Sequence, residues 1–518
     1  MLLSFLAASV FLITTTTTVH AGREEISFSR AFRWNFGPGG DDAGAGPGNA
    51  WASAFAPISS CDSTMYPDPH RMTSSDCATS CAYDQSCLAW FHDPSSRACS
   101  HGNAGVTCTA AKTNATTMGG LRVAPTPLQT SYSFAVASLP ESSNWPLVDA
   151  PHDALISLNG TFSESDGDER HGYRVRTVVW YRKTFTLPSD WAVGGATFIR
   201  FEGIVHFSQL WLNGQYLGHH ASAYDEFTMR LDNVSGVNFG GGNNVIAIRA
   251  DASYGSEHWY GGGGITRAVQ IIHVNDLNFV EHGVFVPPQV SSNTVTASAE
   301  FQNFAATTTP VSVRFDVYDD VAGTLITSST SASGSPPTNG AGTMIVNASI
   351  ALPSNFALWS TTSPTLYRVC ASLLTSGGGV SQDAVNVTVG FRHVEWNADT
   401  GFIMNGQGFR LRGFSHHNSF AGVGVAMPAR LDLFRAQVAR TLGSNIWRMS
   451  HNPYRTSLYD VLDTLGITVW DENRDMGPAY AYQMGEMVKR GRNHPSIVVN
   501  SLCNEVECIN LPEVGEYD

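Results

Sequence analysis

The sequence predicts a multidomain protein in which β-sandwiches precede an α/β domain. Up to about residue 390, short stretches of alternating polar and apolar residues are separated by Gly, Ser and Pro, as antiparallel strands require. After about residue 400, strands and helices alternate with a repeat of roughly 30 residues, which is typical of βαβ units and a parallel sheet. A length of 518 residues also exceeds that of a single domain.

Composition restricts the partners that this protein can have. The formal net charge is −14, and an acidic protein is not attracted to nucleic acid or to an anionic membrane. We therefore expect neither as a partner, and whether the chain forms a homo-oligomer stays open. The N-terminus has an apolar stretch, Leu2 to Ile13, followed by Val19-His20-Ala21, which predicts a signal peptide over residues 1–21. A secreted, extracellular or lumenal location follows.

The cysteines fit a secreted protein. Six of the nine lie in a short window, which predicts disulfide bonds with fifteen possible connectivities: Cys61, Cys77, Cys81, Cys87, Cys99 and Cys108. This window looks like an insertion, residues 58–122, into a first sandwich over residues 22–275. Five Asn-x-Ser/Thr sequons predict glycosylated surface loops at Asn114, Asn159, Asn233, Asn347 and Asn386.

Local patterns define the individual elements. Asn213-Gly214 predicts a type I′ hairpin in the first sandwich. Residues 276–390 predict an immunoglobulin-like sandwich in which Cys370 is a buried apolar residue. Residues 391–518 contain four predicted strands and three connecting helices, which is half of an eight-stranded barrel. Of these helices, the first has Leu431, Phe434, Val438 and Leu442 on one face, and the first two end at Gly443 and Gly466.

Polar side chains follow all four predicted barrel strands. The carboxyl ends of parallel barrel strands form one rim, where catalytic residues collect. The strand ends supply His416-His417-Asn418, Arg448 with Ser450-His451-Asn452, Asp471-Glu472-Asn473, and Asn504-Glu505. A lone strand-end acid is more often a brace or a cap, but four consecutive polar strand ends favour an enzyme active site.

Two barrel segments resemble glycoside hydrolase family 2. They are "NIWRMSHNPYRTSLYDVLDTLGITVW" (Asn445–Trp470) and "RNHPSIVVNSLCNE" (Arg492–Glu505), and "GFSHHNSFAGVGVAMP" resembles the β-galactosidase branch most closely. The stretches "WYRKTF" and "EHWYGGGGITRAVQI" are similar to the family's sugar-binding domain. The resemblance implies a jelly-roll β-sandwich, an immunoglobulin-like β-sandwich and the first half of a (β/α)8 TIM barrel.

The resemblance also implies roles for the rim residues. Glu505 would be the general acid/base of a retaining β-glycosidase, and Asn504 would hydrogen-bond the sugar 2-hydroxyl. The remaining predicted substrate-binding residues are Arg448, His451, His417, Asp471 and Asn473. The nucleophile of this family comes from a later barrel strand, and the sequence ends at Asp518 before any such strand. We therefore expect a truncated product that is inactive alone. The acidic and His ligands that bind Mg²⁺ in some β-galactosidases do not appear cleanly in "DENRDMG", so we expect no metal or cofactor.

The inserted segment resembles a PAN/apple module in "DCATSCAYDQSCLAWFHDPSSRACSH". That resemblance implies the pairs Cys61–Cys108, Cys77–Cys99 and Cys81–Cys87. Cys503 and Cys508 flank Glu505 as either a bridge or two separate thiols. The leading function is hydrolysis of terminal β-D-galactosides. β-Mannosidase or β-glucuronidase specificity, or a non-catalytic carbohydrate-binding protein, stays as an alternative.

Overall fold

The computed structural model describes residues 145–504, with gaps at 161–170, 221, 254–259, 291, 376–380 and 475–479. Before residue 145 it describes nine strands, β1 to β9, which lie between Thr18 and Arg122. Of the predicted positions, Asn114, Cys77, Cys81, Cys87, Glu505 and Cys508 lie outside the described residues.

The first domain is a sandwich of two antiparallel sheets. One sheet has the order β1 (Thr18–His20), β2 (Arg23–Ser27), β19 (Val269–Val274), β12 (Ala196–Phe201) and β16 (Phe227–Arg230). The other has the order β10 (Leu147–Val148), β3 (Phe32–Phe36), β11 (Val178–Phe185), β17 (Asn244–Asp251), β14 (Phe207–Leu212) and β15 (Gln215–His220). A small ladder pairs β13 (Ile204–Val205) with β18 (Gly264–Ile265). Strand β1 includes residues that the sequence assigns to the leader.

Turn chemistry and packing explain this sandwich. Asn213 and Gly214 both have positive φ, 52° and 80°, so the predicted type I′ turn joins β14 to β15. Strand β11 is buried on both faces because Trp180 packs on Trp211 outside the sandwich core, with ring centroids 5.4 Å apart. The core between the two sheets is apolar and continuous.

The inserted segment forms its own sheet. Its order is β5 (Tyr66–Asp68), β7 (Ala98–Gly102), β6 (Ala89–Asp93), β9 (Met118–Arg122), β4 (Phe55–Cys61) and β8 (Cys108–Ala110). Cys61 and Cys108 are directly opposite each other in the β4–β8 register. This register is compatible with the Cys61–Cys108 bond, which stays a prediction.

The second domain is also a sandwich. A sheet of β20 (Leu277–Phe285), β21 (Thr294–Asn303) and β24 (Thr343–Ala351) faces a sheet of β23 (Leu325–Thr330), β22 (Val311–Asp319), β25 (Tyr367–Thr375) and β26 (Ser381–Val389). Cys370 is a free thiol that is only half-buried, so the prediction of a buried residue is wrong in degree. A three-stranded sheet, β27 (Val394–Asn397), β28 (Gly401–Met404) and β29 (Gln407–Gly408), leads into the third domain.

Four of the five sequon asparagines lie on the described surface. Asn159, Asn233, Asn347 and Asn386 are all exposed. Asn347 and Asn386 lie within β24 and β26 rather than in loops, which corrects part of the prediction. They point to solvent because alternate residues of these strands face away from the core. Their glycosylation stays a prediction.

The third domain has the predicted parallel sheet. Its strands are β30 (Gly413–His417), β31 (Ile446–Ser450), β32 (Thr468–Glu472) and β33 (Ile497–Ser501), paired in that order and all parallel. Three helices connect them, α1 (Ala429–Thr441), α2 (Thr456–Leu465) and α3 (Tyr480–Gly491). Helix α2 ends at Gly466, whose φ of 66° places it in the left-handed region that favours glycine. No helix in the described part of the chain is long and apolar enough to cross a membrane.

The face of helix α1 that carries the predicted apolar residues is largely exposed, and another face is buried. Phe434, Val438 and Leu442 are 53%, 41% and 68% exposed. The buried side instead includes Asp432, whose carboxylate accepts hydrogen bonds from Arg455 at 2.7 and 3.1 Å. A buried ion pair therefore sets the orientation of this helix.

Two arginines attach the sandwiches to the parallel sheet. Arg267 of the first domain donates to the carbonyl oxygens of Tyr224 at 2.8 Å and Pro453 at 2.6 Å. Arg392 donates to the carbonyl oxygens of Pro495 at 2.9 Å and Ile497 at 2.6 Å, at the start of β33. The bonds from Arg267 fix the segment after β31 relative to the first sandwich. Those from Arg392 fix the start of β33 relative to the second sandwich.

Candidate active site

Two neighbouring strands bring an arginine and a glutamate together at the rim. Trp447 and Val469 point toward the helices and pack in the core on that side. Because successive side chains of a strand point to opposite faces, Arg448 of β31 and Glu472 of β32 point to the other, inner face. Both strands end there, so the two side chains meet at the carboxyl edge of the sheet.

Glu472 is the centre of the cluster. Its side chain is 0% exposed, and one carboxylate oxygen, Oε2, accepts hydrogen bonds from Nε and Nη2 of Arg448 at 3.1 and 2.8 Å. The other oxygen, Oε1, lies 2.6 Å from Nδ1 of His451. Nη2 of Arg448 lies 3.4 Å from the same Nδ1. Glu472 therefore fixes the orientation of both basic side chains.

Asn504 joins the cluster through Arg448. Nη2 of Arg448 donates to Oδ1 of Asn504 at 2.8 Å. The amide oxygen therefore faces the guanidinium, which turns the amide nitrogen and its two donors away from it. The structure thus brings together three predicted residues, Arg448, His451 and Asn504, around one carboxylate.

His417 lies beside this cluster, and its neighbour does not. The ring of His417 lies 5.6 Å from that of His451, at 77° to it. Partial burial, followed by the positive potential of His451, Arg435 and Arg448, lowers the pKa of His417. His416 points the other way and stacks on Trp447 at 3.3 Å, and burial lowers its pKa to about 3. Only His417 of the pair belongs to the rim.

Asp471 is not at the rim, which corrects its predicted role in substrate binding. It is 1% exposed, and its Oδ1 accepts a hydrogen bond from the hydroxyl of Tyr459 on α2 at 2.7 Å. Burial raises the pKa of Asp471 to about 6, although the nearby Arg490 acts in the opposite direction. The side chain therefore braces the sheet against the helices.

Asn473 also lies away from the cluster around Glu472. Its side chain is buried, and it lines a cleft between the first sandwich and α3, together with Asp225, Gln483 and Arg490. Its backbone N–H donates to the carbonyl oxygen of Ser501 at 3.0 Å. Of the two predicted residues at the end of β32, Asp471 faces the helices and Asn473 lines this cleft.

The structure does not test the predicted role of Glu505 as the acid/base. Glu505 is outside the described residues, and Asn504 is the last residue before it. Cys503 is disulfide-bonded, so it is not a free thiol. Cys508 lies outside the described residues, and a bridge between Cys503 and Cys508 stays a prediction.

Glu472 is the site residue that sequence reasoning missed. The triplet Asp471-Glu472-Asn473 offered three candidates, and only the two outer ones were selected. A usable signal was present: Val469 is the apolar, helix-facing residue of β32, so Asp471 shares its side and Glu472 faces inward. Strand alternation, applied to the strand end, identifies the glutamate.

Two groups of potential metal ligands occur among the described residues, and neither is at the rim. The first contains Glu226, Glu281 and His282, and Arg200 already pairs with both of its carboxylates. The second contains Asp460, Asp463 and His494. There, Asp463 already accepts from Nδ1 of His494 at 2.6 Å and from the Ser496 N–H at 3.1 Å. Both groups therefore include carboxylates that already have partners.

Comparison with known proteins identifies the family of each domain. Residues 138–273 match the sugar binding domain of glycosyl hydrolases family 2, residues 278–392 match the model described as glycosyl hydrolases family 2, and residues 397–485 match that family's TIM barrel domain. The relatives include a putative beta-glucuronidase of Formosa agariphila, 29% identical over 406 residues, which cover 75% of this chain and 37% of the relative. Beta-galactosidase BoGH2A of Bacteroides ovatus is 28% identical over 388 residues, which cover 70% and 44% of the two chains.

Solved structures share the architecture. A family 2 member from Bacteroides cellulosilyticus superposes with a TM-score of 0.65 at 25% identity, over 74% of this chain and 52% of that one. A beta-glycosidase from Bacteroides vulgatus gives a TM-score of 0.64 at 26% identity, over 83% and 51%. This chain thus spans about half, or less, of the proteins that it matches. The chain consists largely of the sugar-binding, central and TIM-barrel domains of glycosyl hydrolases family 2.

Proposed function

We propose that this chain belongs to a secreted, exo-acting glycoside hydrolase that cleaves terminal non-reducing β-D-galactosides with retention of configuration. The observation that supports this most directly is the buried Glu472, which holds Arg448 and His451, while Arg448 in turn holds Asn504, at the rim of a family 2 barrel. These groups offer hydrogen bonds of defined direction, as recognition of sugar hydroxyls requires.

Glu505 has the role of general acid/base in this proposal. It follows Asn504 directly in the sequence, and Asn504 is bonded to Arg448 of the cluster. The reaction needs a carboxyl that first protonates the leaving glycosidic oxygen and then deprotonates water. A retaining reaction also needs a nucleophilic carboxylate about 5 Å away, which we place on a later barrel strand beyond the residues of this chain.

The sugar is the finer part of the proposal. Relatives are named both beta-galactosidase and beta-glucuronidase, so β-D-glucuronides are the second candidate. A panel of p-nitrophenyl β-D-galactoside, β-D-glucuronide and β-D-mannoside separates the three specificities. We expect the galactoside to give the highest kcat/KM, and a higher value for the glucuronide would reverse the assignment.

The test compares this chain with an extended protein in which a family 2 barrel is completed after Asp518. We expect hydrolysis by the extended protein and none by the 518-residue chain. In the extended protein Glu505→Gln should lower kcat at least 100-fold, because a glutamine cannot donate a carboxylic proton. Glu507→Gln, two residues away, is the matched control and should retain activity.

A non-catalytic carbohydrate-binding protein is the rival function. It would be supported if the extended protein bound methyl β-D-galactoside but hydrolysed none of the three substrates. Equal loss of activity in Glu505→Gln and Glu507→Gln would instead contradict the assignment of the acid/base. These outcomes separate the reaction from the identity of the residue that catalyses it.

A further inference from the structure

A single buried carboxylate connects the first sandwich to the barrel beside the candidate site. Asp153 lies just before a short 3-10 helix, Ala154–Ser157, and is 2% exposed. Its Oδ1 accepts three hydrogen bonds from the sandwich: from the N–H groups of Leu155 and Gly263, both at 3.2 Å, and from the hydroxyl of Tyr260 at 3.1 Å. These bonds fix the position of the carboxylate within its own domain.

The second oxygen of Asp153 binds the other domain. Oδ2 accepts a hydrogen bond from the N–H of Val425 at 3.0 Å. Val425 belongs to residues 418–428, the loop that joins β30 to α1 and that starts directly after His417. We call this segment the first rim loop. The sandwich thus holds a loop that borders the candidate site.

Glycines allow the close approach. A Cβ added to Gly424, whose φ is +60°, would lie 2.0 Å from Oδ2 of Asp153. A Cβ added to Gly262, whose φ is +75°, would lie 2.7 Å from the same oxygen. Both positions therefore require glycine for two reasons, namely the left-handed backbone and the space that the carboxylate occupies.

Burial disfavours the ionised form of the Asp153 carboxyl group. Burial raises the pKa of Asp153 to about 6, and the hydrogen bonds from Val425, Tyr260, Gly263 and Leu155 act in the opposite direction. At neutral pH the group is therefore ionised and is stabilised by four hydrogen-bond donors. A buried charge of this kind persists where its hydrogen bonds offset the loss of hydration.

We propose that Asp153 is a positioning residue of the candidate site: its carboxylate ties the first rim loop to the sandwich and thereby holds His417 in place. The proposal extends the glycosidase assignment to a second domain but does not depend on it, because its test measures the loop itself. Asp153 takes no part in proton transfer or in substrate contact. Its effect reaches the site through the backbone of residues 418–428.

The decisive variant is Asp153→Asn in the 518-residue chain. The amide oxygen can replace Oδ1 toward its three donors, and the amide nitrogen then faces the N–H of Val425, so that only the bond between the domains is lost. We expect the Val425 amide proton to move upfield in a spectrum of valine-labelled protein. Hydrogen exchange over residues 418–428 should become roughly tenfold faster or more, the effect of losing a hydrogen bond to a charged group.

Two glycine variants of the same loop form a matched pair. Gly424→Ala drives a Cβ against Asp153 and should release the loop in the same way. Gly422→Ala also places alanine at a positive φ, +87°, but its Cβ would meet nothing within 4 Å. Both variants place alanine at a positive φ, but only the Cβ at Gly424 would meet the sandwich, at Asp153 and at Cγ2 of Ile156 2.7 Å away. A loop held against the sandwich at Asp153 therefore predicts a difference between the two variants.

The imidazole of His417 provides a readout that general destabilisation does not move. Partial burial lowers its pKa, so release of the loop should raise that pKa toward 6.5 in Asp153→Asn and in Gly424→Ala, but not in Gly422→Ala. An unchanged Val425 amide, an unchanged His417 titration, or equal effects of the two glycine variants would each refute the proposal. Faster exchange throughout β31 would refute it as well, because Asp153 would then support the whole fold rather than the loop.

Discussion

The inner face of the parallel sheet and its helix-facing side each bury a carboxylate, and they surround it differently. On the inner face, Glu472 is held by a guanidinium and an imidazole. On the other side, the adjacent Asp471 is held by the phenol of Tyr459 and by the N–H of Glu472 at 3.1 Å. Two consecutive acids of one strand thus belong to two unrelated environments.

The difference shows that the alternation of side chains along a strand places the polar cluster on one face of the sheet and the contacts with the helices on the other. Charge-assisted hydrogen bonds to Arg448 and His451 are directional and strong, so they hold polar groups at a surface that a substrate could reach. Asp471 accepts hydrogen bonds from neutral groups, with Arg490 nearby, and burial raises its pKa to about 6. In the proposed function the inner face recognises the sugar, and the helix-facing side joins the sheet to the helices.

The largest effect on the difference between the two faces should come from removal of the Glu472 carboxylate. Glu472→Ala leaves Arg448 and His451 without their acceptor, and we expect the free energy of unfolding to fall by about 3 kcal/mol. This lies at the low end for a broken buried ion pair because the side chain of Arg448 is 31% exposed. Misplacement of both basic groups should also lower kcat/KM of the extended protein about 100-fold. Urea denaturation and steady-state kinetics measure the two effects.

Asp471→Asn is the matched control for that variant. It alters the neighbouring acid of the same strand but leaves the inner face intact, so kcat/KM should stay within about twofold. A loss of activity equal to that of Glu472→Ala would show that the two faces do not differ in function. Glu472→Gln should fall between the two, since it keeps the shape of the side chain and loses its charge.

The second prediction concerns the pH dependence of stability. The pKa of Asp471 is raised from 3.8 to about 6 in the folded state, so folding favours the protonated form. Its stabilising contribution is therefore complete below about pH 4 and is lost as pH rises to about 6, with a total of at most about 3 kcal/mol. Urea denaturation between pH 4 and 7 should show a smaller decline for Asp471→Asn than for the wild type.

Other buried acids titrate in the same range, so the difference between the proteins is the quantity to compare. The pKa values of Asp153 and Asp383 are also raised to about 6 by burial. Asp383→Asn, in the second sandwich, should change the transition of that domain and leave the barrel transition as in the wild type. Identical pH profiles of wild type and Asp471→Asn would contradict the raised pKa.

Much of the barrel could be predicted because its signals are local. Helix α2 ends at Gly466 as its sequence indicates, and the four parallel strands occur in the predicted order. Strand ends in parallel sheets meet at one edge, which is why polar residues after all four strands could be expected at one rim. The strands and helices need only periodicity and turn residues, whereas the selection of Arg448, His451 and Asn504 within that rim came from the family resemblance.

The wrong predictions concern features that tertiary contacts determine. Helical periodicity marks Phe434 and Val438 as one face of α1, but the buried Asp432–Arg455 pair turns the opposite side inward. The choice of Asp471 over Glu472 failed in the same way, because the triplet alone does not show which acid faces the helices. The connection between Asp153 and Val425 joins residues 272 positions apart, and no local pattern reports it.

The variant with the smallest expected effect, Tyr459→Phe, alters the helix-facing side of the sheet. The hydroxyl of Tyr459 donates to Asp471 and accepts the N–H of Tyr454 at 3.1 Å, so Tyr459→Phe leaves two buried groups with one partner fewer. We expect a loss of about 1–2 kcal/mol in the free energy of unfolding. The pKa of Asp471 should also rise further, because the hydrogen bond from Tyr459 lowers it. The stability decline should then extend above pH 6, and kcat/KM of the extended protein should not change.

Tyr367→Phe separates this effect from the general loss of a buried hydroxyl. Tyr367 of the second sandwich also donates one hydrogen bond, to the Ala357 carbonyl oxygen at 3.0 Å, and accepts one, from the Ala357 N–H at 2.8 Å. Its removal should cost a similar free energy in that domain without moving the pH range of the barrel transition. If both variants shifted that range equally, the phenol of Tyr459 would not be what sets the titration of Asp471. If only Tyr459→Phe shifted it, the two faces of the sheet would be distinguished by experiment as they are by geometry.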